Sequence, residues 1–236
     1  MLQWSIATVL HIPDLHEPHS HERAYEFLEQ VYKDYKCDKI VCAGDEVDLH
    51  TLSRFPKHYL SPGQDSEIHQ ALKGLEDLKK IFQAKEISFC VSNHTSRPFR
   101  VAELMGLSRY FLKEYREWLE APPEWTWYYD GELIVDNVMY IHGDHYSGQY
   151  GHIKAAMKNR RSTVIGHIHA HAGVQYLNGW GKDNQIFGLN GGCLIGESWA
   201  FDYARKQPDK PTIGCSIIQN GHSGIFIPMR TYYEDV

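Results

Sequence analysis

The stretch WSIATVLHIPDLH, residues 4–16, decides how the chain is read. Residues 4–12 are a continuous apolar run, the pattern of a strand covered on both faces. The run ends in Asp14-Leu15-His16, which offers two side chains able to hold a metal ion. It is short, has no basic residues ahead of it and leads into Pro and Asp, so it reads as a buried strand. A signal peptide or membrane span is not expected.

The same ending recurs down the chain. KIVCAG (39–44) leads into Asp45-Glu46-Val47-Asp48, and EISFCVS (86–92) into Asn93-His94. The run through Met139, Tyr140 and Ile141 leads into His142-Gly143, and STVIG (162–166) into His167-Ile168-His169. Five strands thus each deliver a metal-capable side chain from the C-terminal end, the edge where α/β sheets bind ligands. In extended backbone the two-residue spacing of Asp14 and His16, and of His167 and His169, places each pair on one side. Gly44, Gly143 and Gly166 permit tight turns or close backbone approach.

Helices are expected between these strands. Residues 20–36 carry apolar side chains at helical spacing, with Ser20 as N-cap. Further helices are expected over 66–84, 108–120 (ended by Pro122-Pro123) and about 148–160. WTWYYDGELIVDNVMYIHG (125–143) reads as an antiparallel meander, and Asn220-Gly221 joins a C-terminal hairpin. Strand–helix units followed by hairpins imply an α/β fold of two packed sheets flanked by helices.

Composition narrows the class. The 236 residues, 42% hydrophobic and 23% charged, suffice for one large core. No linker or repeat divides them, so a single domain over 1–236 is expected. A net charge of -6 argues against a surface that coats nucleic acid, though not against a local basic strip. Lys158, Arg160 and Arg161 are a weak candidate for such a strip. Cys37, Cys42, Cys90, Cys193 and Cys215 contain no Cys-x-x-Cys pair and are odd in number, which fits a reducing cytoplasm better than a disulfide scaffold. Aspartate, asparagine and imidazole donors without thiolate suit Mn, Fe, Zn, Co or Ni.

Taken in order, Asp-x-His, Gly-Asp-x-x-Asp, Asn-His, His and Gly-His-x-His over residues 14–169 resemble the calcineurin-like metallophosphoesterase superfamily, its small phage and bacterial members in particular. The resemblance implies a four-layer α/β/β/α sandwich with two mixed β-sheets. It also implies two divalent metal ions, Mn foremost. Asp14, His16 and His169 would hold one, and Asn93, His142 and His167 the other, with Asp45 bridging. Elementary electrostatics agrees that two close cations need a shared anionic ligand.

A metal-bridging hydroxide would attack phosphorus, with His94 as acid or stabilising cation for the leaving oxygen and Asp48 orienting it. Arg97 and Arg100 are candidates to grip phosphate. Here Ser92-Asn93-His94-Thr95 stands where the family usually has Gly-Asn-His followed by an acid. The substrate is expected to be a phosphodiester of a nucleotide or nucleic acid. A phosphomonoesterase is the alternative. A non-catalytic scaffold is the third reading, against which retention of every ligand and His94 argues. No membrane partner is implied, and the oligomeric state is left open.

Overall fold

In the computed structural model, residues 7–54, 63–180, 184–196 and 210–234 are described. Residues 4–6 of the first expected strand lie outside them.

The first sheet holds β1 (Thr8–Ile12), β2 (Lys39–Cys42), β3 (Ile87–Cys90), β4 (Trp125–Tyr128), β10 (Gly214–Gln219) and β11 (Ser223–Pro228), in the order β11-β10-β1-β2-β3-β4. Strands β1 to β4 run parallel, and the β10–β11 hairpin adds antiparallel to β1. The second sheet has the order β5-β6-β7-β9-β8, from β5 (Ile134–Val135), β6 (Val138–Tyr140), β7 (Thr163–Ile165), β8 (Gly173–Asn178) and β9 (Gln185–Asn190). Within it β6, β7 and β9 are parallel, and β5 and β8 are antiparallel edges.

Side-chain alternation builds three layers of core. On β1, Leu10 and Ile12 face α1 (Ala24–Asp34) and α2 (Gln64–Ile81), packing with Phe27, Leu28, Leu75 and Leu78. Val9 points the other way and meets Val138, Tyr140, Val164 and Leu189 of the second sheet. Beyond that sheet, Ile141 and Ile165 pack on Ala155 of α5 (Gly151–Asn159). The order helix, sheet, sheet, helix is the expected four-layer sandwich. Both sheets turn the C-terminal ends of their parallel strands toward one rim.

Several local expectations are corrected. Ser20 does not cap α1, which starts at Ala24 with no side-chain cap; the Ser20 hydroxyl donates to Glu17 instead. The 108–120 helix is divided, because Ser108 accepts from the Tyr110 amide and Glu114 opens a capping box with Glu117. Two starts six residues apart leave a 3-10 turn (Arg109–Phe111), an extended Leu112 and the short α4 (Tyr115–Trp118). A helix outside the sequence expectations, α3 (Arg97–Leu104), has proline in its first turn, where a missing N–H costs nothing.

The 125–143 stretch is not one meander. Its first strand, β4, joins the other sheet parallel to β3, and only β5 and β6 form a hairpin. Alternation reveals that a strand has two faces but not which neighbour it pairs with. Strands β8 and β9 also lie outside the sequence expectations. The basic run at 158–161 closes α5 just before β7 begins, at the edge opposite the His167 end, so it does not border the rim.

Candidate metal centre

The rim is assembled by zipping loops together. His16 donates its backbone N–H to Asp45 O (2.8 Å), Glu17 donates to Glu46 O, and Asp48 donates back to Glu17 O. Gly166 N–H reaches His142 O, and Leu194 N–H reaches Asp14 O. The ligand-bearing turns are sharp: His16, Asp45 and His167 all have left-handed backbone, with φ of 52°, 49° and 62°. Non-glycine residues rarely hold that conformation unless their surroundings impose it. The expectation that Asp14/His16 and His167/His169 converge through extended backbone is therefore corrected; turns bring them together.

Two groups result. Ligand atoms of Asp14, His16 and His169 lie within 4.8 Å of one another, and so do those of Asp45, His142 and His167. In the first, Asp14 Oδ2 is 3.0 Å from His169 Nε2 and 3.9 Å from His16 Nε2. In the second, His142 Nε2 lies 2.7 Å from Asn93 Oδ1 and 3.2 Å from His167 Nδ1. Asp45 stands between them, its Oδ2 at 3.4 Å from both His16 Nε2 and His142 Nε2.

The residues fit divalent cations on three observations. His142 Nδ1–H donates to Ala43 O (3.0 Å), so Nε2 turns its lone pair toward Asn93 Oδ1 and His167 Nδ1. His16 Nδ1 likewise meets Asp48 Oδ1 at 2.8 Å, aiming Nε2 at Asp14 and Asp45. Asp14 Oδ1, fully buried, has no hydrogen-bond partner, a costly state for a carboxylate oxygen.

Electrostatics points the same way. Burial alone would lower the His16 imidazole. The Asp48 hydrogen bond and the Asp45, Asp48 and Asp14 charges outweigh it and lift the pKa to about 9. For Asp14, burial pushes up, but the His169 hydrogen bond and the charges of His142, His169 and His16 hold it well below the carboxylate range. The carboxylates of this rim demand positive charge.

His94, buried beside the cluster, has Nε2 at 3.6 Å from Asp45 Oδ2 and 2.6 Å from Arg97 Nη2. Burial first, then the charges of His16, Arg97 and His142, push its pKa well below the ordinary histidine value. Asp48 is shared: its Oδ1 is 3.4 Å from His94 Nδ1 but closer to His16. Arg97 faces inward, donating to Asp48 O and His94 Nε2, while Arg100 is exposed one turn later on α3.

Ser92, where the family usually has glycine, carries a function the sequence did not suggest. Its hydroxyl accepts from the Asp45 amide (3.1 Å) and the Thr95 amide (3.0 Å), tying the loop of Asp45 to the turn of Asn93 and His94.

A family model described as Metallophos, calcineurin-like phosphoesterase, matches residues 7–205. No curated protein matches the chain. One solved crystal structure aligns with 95% of this chain and 99% of its own, at 12% identity and a TM-score of 0.41, a likeness too loose to argue from.

Proposed function

The chain belongs to the calcineurin-like phosphoesterase family, and from that premise we propose that it is a dinuclear-metal phosphodiesterase acting on nucleotides or nucleic acid. The observation that carries the dinuclear reading is the position of Asp45 Oδ2, equally 3.4 Å from one imidazole of each metal-capable group. Asp14, His16 and His169 would hold one cation, and Asn93, His142 and His167 the other, with Asp45 shared; Mn suits these donors, as do Fe, Zn, Ni and Co. Two such ions supply Lewis acidity, lowering the pKa of water and neutralising charge on phosphoryl oxygens.

The remaining steps belong to the chain. Asp48 fixes the His16 ring by its Nδ1–H, and Ala43 O fixes that of His142, so both rings are oriented before any ligand arrives. His94 is placed to meet the leaving oxygen. With Arg97 donating to its Nε2, the imidazole is neutral. An anionic phosphoryl group arriving there competes for the guanidinium and supplies the negative charge that favours protonated His94. The acid is thus charged only when substrate is present.

Preference for a diester rests on the chain just beyond His94. A cavity of about 460 Å³ opens among Thr95, Ser96, Phe99, Arg109, Glu114, Trp127 and Tyr129; its aromatic faces suit a stacked base, while Arg109 is paired with Glu114 at 3.1 Å and the metal-capable residues lie outside its lining. A reducing cytoplasm fits the five buried free thiols. Among the described residues no helix is long and apolar enough to cross a membrane.

Hydrolysis of bis-p-nitrophenyl phosphate and p-nitrophenyl phosphate, compared with Mn²⁺ present, tests the reading. The diester is expected to show the higher kcat/KM; a higher value for the monoester would replace this assignment with a phosphomonoesterase.

A further inference from the structure

Behind His16, away from the paired groups, lies another convergence of donors. A ring nitrogen of His19, a carboxylate oxygen of Asp48 and one of Glu67 lie within 4.8 Å of one another. Three separate pieces of chain supply them. A tight turn, closed by His19 N–H to His16 O at 2.7 Å, folds His19 back over Asp48. Asp48 comes from the loop after β2, and Glu67 from the first turn of α2.

Asp48 divides its two oxygens between two tasks. Oδ1 receives the His16 Nδ1–H, whereas Oδ2 is buried, has no hydrogen bond and sits 3.9 Å from His19 Nε2. The Asp48 side chain is only 2% exposed, so water does not satisfy that oxygen. Glu67, equally buried, accepts from the His50 and Thr51 amides and the Thr51 hydroxyl. Those donors fix its orientation, occupy both lone pairs of Oε2 and leave Oε1 one more to offer. Two buried carboxylates at such close range repel unless a positive charge lies between them.

We propose that His19, Asp48 and Glu67 form a third divalent-cation site, separate from the pair held at the rim. One imidazole and two carboxylates, with no thiolate, select Zn, Mn, Co or Ni. The His19 side chain, 15% exposed, leaves a route of entry. Asp48 joins the two places: one of its oxygens orients His16 and the other binds the third ion. Occupancy of the third site therefore draws charge from the carboxylate that holds His16 and gives the paired centre a sensor of free metal.

Equilibrium dialysis of the whole chain against Zn²⁺, followed by metal analysis, tests this with wild type and His19→Ala. The variant is expected to hold one equivalent fewer. The comparison is a difference, so it holds whether the rim binds two ions, one or none, and separates failure of this site from failure of the dinuclear reading. Equal counts overturn the proposal. Crystals of the wild-type protein soaked in Zn²⁺ give a second measure that needs no variant. An anomalous peak among His19, Asp48 and Glu67 supports the site, and absence of a peak there overturns it.

Discussion

At the level of single residues, His94 separates chemistry from metal binding. It touches Asp45 and Arg97 and converges with His16 and Asp48, but lies outside the two groups that include Asp45 or Asp14. His94→Ala is expected to keep the metal content of the wild type while losing about 10²–10⁴-fold in kcat on a nucleotide diester, whose leaving group needs a proton. Substrates with p-nitrophenol leaving groups should lose far less, and an equal loss on both would remove His94 as the acid. The candidate ligands were legible because residue type and position after an apolar run are local properties. Their backbone was not: the left-handed turns at His16, Asp45 and His167 depend on hydrogen bonds between loops far apart in sequence. Nor could the sequence show that Arg97 turns inward or that Ser92 ties the Asp45 loop to that of His94.

Among elements, the strand ends govern the site through close packing. A Cβ placed on Gly166, at the end of β7, would overlap Asp14 Oδ1 and lie 2.8 Å from the Ala43 side chain. Asp14 is fully buried and has nowhere to move. Gly166→Ala is therefore expected to cost about 1–3 kcal/mol in stability, and to weaken metal binding by about 10–100-fold, as displaced supporting groups do. Denaturant melts and metal titration read the two effects; wild-type affinity in a folded variant would show that Asp14 need not stay where it is. Strands β1, β2, β3 and β7 were readable as apolar runs, as was the C-terminal hairpin from its turn. The 108–120 segment misled because its apolar spacing suits a helix while the large side chains of its first half stay outside, with Tyr110 91% and Phe111 75% exposed, and only from Tyr115 does it reach the core. Propensity without a partner surface does not sustain a helix of that length.

Across the whole molecule, the layer between the sheets carries a titratable group with no catalytic task. His11 on β1 faces Ser216 on β10, is fully buried, and its Nδ1 has no hydrogen bond. Burial lowers its pKa from 6.5 to about 4, against a smaller opposing pull from Asp14. The unfolded chain then binds a proton that the folded one refuses between those values, so stability rises with pH across the window and is lost as pH falls from 6.5 toward 4. The loss is on the order of 3 kcal/mol. His11→Gln should flatten that part of the stability–pH curve, and an unchanged slope would place the acid sensitivity elsewhere. The sandwich itself followed from alternation and strand order, yet the partition of strands between sheets did not, since pairing partners are set by the assembled core. Everything functional depends on that assembly bringing Asp14, Asp45 and Asn93 from one sheet against His142, His167 and His169 from the other. Anomalous scattering from crystals grown with Mn²⁺ measures this most directly. Two peaks about 3.5–4 Å apart are expected, one among Asp14, His16 and His169 and one among Asn93, His142 and His167, both bonded to Asp45; a single peak, or a pair that does not share Asp45, would contradict the account.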